Sequence, residues 1–122
     1  MTTIKTETRR LVSSGDVQGT DVFSTSGEKL GSIDCVMIDK QKGNVAYAVM
    51  SFGGVLGLGE KRHPLPWQSL SYDTAKDAYV VRLSKDELKA APNLNAGDYR
   101  QLGDRKYDES VYSHYKANPY WL

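Results

Sequence analysis

The sequence predicts a mainly β domain, a small and highly coiled antiparallel barrel with one short helix and an aromatic C-terminal tail, part helical and part extended. Three observations carry this. Short apolar runs broken by Gly, Asn, Asp and Pro follow one another from Asp16 to Leu83, with no helical period longer than one or two turns. Within one run the apolar spacing changes parity, between Ile33 and Val36, as a strand does when a bulge bends it toward closure. Six of the twelve aromatic residues lie between Tyr99 and Trp121, where β-branched residues nearly vanish.

In chain order, residues 1–15 hold Lys5, Arg9 and Arg10 but only Ile4, Leu11 and Val12 as apolar side chains beyond Met1, too few to offset ordering entropy. A mobile arm is expected there. The barrel domain is expected over residues 16–92. Asp21-Val22-Phe23 leads into a turn at Ser26-Gly27-Glu28-Lys29, where Gly27 can take a positive φ cheaply. A strand from Leu30 to Asp39 follows, and Lys40-Gln41-Lys42-Gly43-Asn44 reads as the next hairpin turn. Val45–Phe52 is the strongest strand and is apolar on both faces, with Val45, Tyr47 and Val49 on one and Ala46, Ala48, Met50 and Phe52 on the other. A half-wet antiparallel strand would alternate, so something must cover the second face.

Four of the eleven glycines fall in the loop 53–59. Pro64 and Pro66 lack a ladder donor, which places their strand at an edge or corner. Leu70–Asp73 and Ala78–Leu83 form the last hairpin, with Tyr79, Val81 and Leu83 on one face. Ser84 and Glu87 make a capping box for a short helix that Pro92 bounds. In the extension, residues 93–122, Tyr107, Val111 and Tyr115 sit at helical spacing with Tyr112 beside them. Asp104 or Asp108 can cap that helix, Asn118-Pro119 ends it, and an extended Pro119–Leu122 follows.

Taken together, the run from Gly27 to Ile33, Ile38-Asp39, Val45–Val49, the glycine loop, Leu65-Pro66-Trp67 and Leu83–Leu88 resemble the PRC-barrel domain over about residues 16–92. That family is named from the H subunit of the photosynthetic reaction centre and includes the C-terminal domain of RimM. The tail ending in Asn118-Pro119-Tyr120-Trp121 resembles the ends of stand-alone bacterial members. The resemblance implies a β-barrel used for protein contacts and not for catalysis. It brings neither a photosynthetic nor a ribosomal role, since the chain has no membrane helix like that of the H subunit and no preceding barrel like that of RimM.

Composition narrows the function further. The 122 residues carry 16 Lys and Arg against 15 Asp and Glu, a net charge of +1. No basic stripe marks a nucleic-acid or membrane partner, and in the tail Arg100, Arg105, Lys106 and Lys116 are cancelled by Asp98, Asp104, Asp108 and Glu109. One Cys excludes an intrachain disulfide, and the polar start has no signal-peptide core, so a cytoplasmic protein is expected. Gly54 and Gly59 have the spacing of a phosphate-binding loop, but Glu60 stands where its Lys belongs. Cys35 lies mid-strand, expected to be an inward, unreactive thiol, and neither His63 nor His114 has metal-ligand spacing. No catalytic, metal or cofactor residue is therefore assigned.

The expected function is a non-enzymatic protein-interaction module. Its contact residues are Val55, Leu56 and Leu58 at the glycine loop and Tyr107, Tyr112, Tyr115, Tyr120 and Trp121 in the tail, which packs on its own or a neighbouring barrel. A protein partner and a possible homodimer are expected. The alternative is a ligand-binding or enzymatic barrel with a pocket near Trp67 and His63.

Overall fold

The computed structural model describes residues 10–52 and 61–122. Ser13 caps a single helical turn, α1 (Ser14–Val17), which seats Val17 in the core. Seven strands follow: β1 (Asp21–Ser24), β2 (Lys29–Ile38), β3 (Val45–Phe52), β4 (Lys61–Pro66), β5 (Leu70–Asp73), β6 (Ala78–Val81) and β7 (Leu94–Asn95). The helix α2 (Lys85–Lys89) carries both bonds of the Ser84/Glu87 capping box, and α3 (Arg105–Tyr115) forms the tail helix. No helix among the described residues is long and apolar enough to cross a membrane.

The strands form one sheet in the order β5-β6-β1-β2-β3-β4-β7. Connectivity forces that sheet to coil. β4 and β5 are joined only by a 3-10 turn, Trp67–Ser69, yet β6, β1, β2 and β3 lie between them. In a flat sheet they would stand about 24 Å apart, while the step from Pro66 to Leu70 spans at most about 14 Å. Three irregularities supply the bending: a register shift between β1 and β2 at Val22/Phe23, and two between β2 and β3 at Ile33/Cys35 and Met37/Ile38. The parity change between Ile33 and Val36 is the first of the β2 pair.

Two features depart from the all-antiparallel reading and the boundary at residue 92. β1 pairs with β6 in parallel, Val22 opposite Tyr79, because the coil brings β6 back beside β1 from the far end of the sheet. The extension begins by adding β7 to the sheet, Leu94 opposite Arg62. Pro64 and Pro66 lie past that pairing, opposite only Val49 and Tyr47, so β4 is an edge where its prolines need one.

The main core gathers Val22, Leu30, Ile33, Ala48, Met50 and Leu65 with Val81 and Leu88. Gly27 closes the β1–β2 turn at φ 92°. At Gly31 the constraint is space: a Cβ built there would lie 1.9 Å from the Ser51 carbonyl oxygen. Gly31→Ala must therefore push β2 and β3 apart. It is expected to cost about 3 kcal/mol or more, read as a lower denaturation midpoint with an unchanged slope.

Candidate functional site

The second face of β3 is covered by the chain's own tail. Tyr47 and Ala46 form a separate apolar cluster with Val111 and Tyr112, joined by Met37, Leu102, Tyr120 and Trp121. Ala46 belongs to this cluster and not to the main core, so the strict two-face reading of Val45–Phe52 fails at the strand's first turn of pleat, beside the Met37/Ile38 irregularity. The rings meet mostly edge to face: Tyr47 on Tyr112 at 5.4 Å, Tyr112 on Trp121 at 5.5 Å and Tyr120 on Trp121 at 5.0 Å. The Tyr112 hydroxyl donates to the Ala46 carbonyl.

At the centre sits Asp108, with none of its surface exposed. Its Oδ1 accepts the Tyr47 hydroxyl at 2.7 Å and the Gly103 amide at 3.1 Å, and its Oδ2 accepts the Tyr120 hydroxyl. Burial first, and then the Asp108 carboxylate, push the Tyr47 hydroxyl far above the ordinary tyrosine range, so it stays a donor. Burial likewise raises Tyr112, Tyr115 and Tyr120. The sequence counted Asp108 among surface charges or as a cap. The cap is Asp104, whose side chain accepts the Tyr107 amide, while Asp108 points inward. One signal was available: Asp108, Val111, Tyr112 and Tyr115 stand at i, i+3, i+4 and i+7, one helix face.

The helix also ends three residues before Asn118. Lys116 adopts the left-handed conformation at φ 55°, its amide bonds Ser113 and the Ala117 amide bonds Tyr112 at 3.0 Å, a Schellman closure. The hydroxyls of Tyr107 and Tyr115 are buried without a hydrogen-bond partner among the described residues. Val55, Leu56 and Leu58 lie outside the described residues, as does the glycine loop around them.

Between the β2–β3 turn and the tail opens a cleft of about 410 Å³, lined by Met37, Ile38, Lys42, Tyr120, Trp121 and Arg105 among others. The Arg105 guanidinium lies 4.6 Å from the Trp121 ring centroid. This is not where the sequence placed a possible pocket. His63 is buried, its Nδ1 3.1 Å from the Pro92 carbonyl oxygen and its ring edge-on to Phe52 at 5.4 Å. Trp67 packs on Tyr79 at 5.5 Å. Among the described residues no three His, Cys, Asp or Glu side chains group to hold a metal ion.

Cys35 follows the first β2 irregularity and is a half-buried free thiol, not a core side chain. Burial pushes its thiol up, the neighbouring Asp34 adds to this and Arg62 opposes it, so little thiolate forms near neutral pH. Asp34 itself anchors the extension's approach: its Oδ2 accepts the Tyr99 hydroxyl at 2.6 Å and lies 3.6 Å from the Arg62 Nε.

A family model described as PRC-barrel domain matches residues 10–88. No curated protein matches the chain.

Asp108→Ala is expected to lower stability by about 3 kcal/mol, since it strands the buried Tyr47 hydroxyl and the half-buried Tyr120 hydroxyl, and Tyr47→Phe by about 1.5–3 kcal/mol. A cycle combining Tyr47→Phe with Tyr120→Phe reads their coupling through the shared carboxylate. His63 gives a pH dependence of definite sign. Burial lowers its folded value, against a smaller opposing effect of the Pro92 bond, so below about pH 6.5 the unfolded chain binds the proton more readily. Stability is full above that pH and falls as pH drops toward the folded value. Denaturation midpoints between about pH 7 and 5.5 should show a shallower fall in His63→Gln.

Proposed function

Since the chain belongs to the PRC-barrel domain family, we propose that this small β-barrel module is a non-enzymatic protein-interaction module, working without a cofactor. The observation that carries the reading is the rigid union of tail and sheet. Asp108 ties α3, the 103 turn and Tyr120 to β3, so the middle of the chain and its C-terminal part build one fixed outer surface. Fixed aromatic and apolar surface lowers the ordering cost of association. Ile38, 57% exposed at the end of β2, stands at the rim of that surface.

The alternative, a ligand-binding or catalytic pocket near Trp67 and His63, is disfavoured by how those rings are used. His63 is closed in by Phe52 and the Pro92 carbonyl, and Trp67 by Tyr79. Self-pairing belongs to the same proposal. With the tail seated on its own sheet, two copies would meet through outer surface and not through an uncovered β3 face.

A photo-crosslinking amino acid at position 38 tests this in the native cellular mixture. Discrete adducts with a protein are expected from position 38 and not from position 89 on α2. An adduct of twice the chain mass identifies self-pairing. Absence of any protein adduct, together with a thermal shift produced by a small metabolite, would replace the reading with a ligand-binding one.

A further inference from the structure

We infer that the cleft between the β2–β3 turn and the tail docks a carboxylate carried on an aliphatic peptide segment of a partner protein. The inference rests on the interaction-module reading and names the chemistry of its partner. The cleft's volume, about 410 Å³, lies in the range that encloses a few side chains. Its floor is apolar, from Met37 and Ala46, Ile38 stands at its rim, and Tyr120 and Trp121 form an aromatic wall.

The charge in the cleft decides the sign of the ligand. Arg105 sits over the Trp121 ring, its Cζ 4.6 Å from the centroid, which holds the guanidinium at the cleft, and it forms no ion pair among the described residues. Of the acids near it in sequence, Asp104 caps α3 and Asp108 holds the Tyr47 and Tyr120 hydroxyls, while Glu109, one turn on, is exposed and forms no ion pair with it. The one acid in the lining, Asp39, turns its Oδ1 to the backbone amides of Gln41 and Lys42. Lys42, at the rim, is committed too, its Nζ donating to the Leu122 backbone oxygen, which leaves Arg105 as the cation of the lining. A planar guanidinium held over an aromatic ring suits a carboxylate, which it can bind through two parallel hydrogen bonds.

A peptide fits better than a small free acid because the apolar surface does not stop at the cleft. Ile38 is 57% exposed and continues it outward, giving a second aliphatic residue somewhere to rest.

The test is an NMR titration of the full chain, following the Trp121 indole and Gly103 amide signals. The probes are a blocked pentapeptide with a central glutamate between leucines, its glutamine twin, a pentapeptide ending in leucine with a free carboxylate, and N-acetylglutamate. At least one acidic peptide is expected to bind ten times more tightly than the glutamine twin, and which one distinguishes a side-chain from a terminal carboxylate. Arg105→Gln is expected to weaken it about tenfold and Arg105→Lys less, with the melting temperature unchanged, while Lys89→Gln leaves binding alone. Equal binding of the twin, binding indifferent to Arg105→Gln, or no perturbation at all would overturn the inference. Peptide perturbing only another surface would also overturn it, yet would leave the interaction-module reading standing. Binding of N-acetylglutamate without either peptide would overturn both.

Discussion

The buried Asp108 carboxylate is the contact on which the outer half of this molecule depends. It gathers a hydroxyl from β3, a hydroxyl from the chain's end and an amide from the turn before α3. A carboxylate with no exposed surface is costly to bury unless donors replace its water, and here three do. The same demand explains why Tyr47, and not a smaller apolar residue, stands between Ala46 and Ala48 in β3. Its ring completes the aromatic cluster and its hydroxyl meets the charge.

Beneath that contact lies a constraint of connectivity. A three-residue turn must join strands that are five places apart in the sheet, and only a coiled sheet allows it. The register shifts between β1, β2 and β3 and the missing side chain of Gly31 are the local means of coiling. Coiling encloses one face of β3 as the main core and turns the other outward, where Tyr47 would meet water. The tail is thus a structural part of the fold: β7 extends the sheet, Tyr99 fastens to Asp34, and α3 closes the exposed face.

Function follows from where the tail stops covering the sheet. Most ionisable groups of the aromatic layer are spent on structure, as hydroxyl donors, caps and turn acceptors. Arg105 is different, held over the Trp121 ring at the edge of the cleft and in no ion pair among the described residues. A rigid rim with one anchored cation and an exposed isoleucine has the makings of a contact surface, whereas His63 and Trp67 are closed in by their neighbours.

The sequence by itself determined what short-range rules decide. The strands up to Val81, the Gly27 turn, the Ser84/Glu87 capping box, the bend after Ile33 and the tail helix depend on residues within a few positions of one another, and each could be placed from them, whereas β7 could not. It also showed that β3 needed cover on its second face and that the spare aromatics lay in the tail. Only the tertiary structure decided that the tail seats on its own sheet, that β1 and β6 run parallel, and that Asp108 faces inward while Asp104 caps. The reason is distance along the chain. Tyr47 and Asp108 are 61 residues apart, and an aspartate's fate, solvated charge or buried acceptor, depends on whether donors wait across the gap. No local pattern records that. The coil of the sheet does, because it alone sets which face of β3 the returning chain meets.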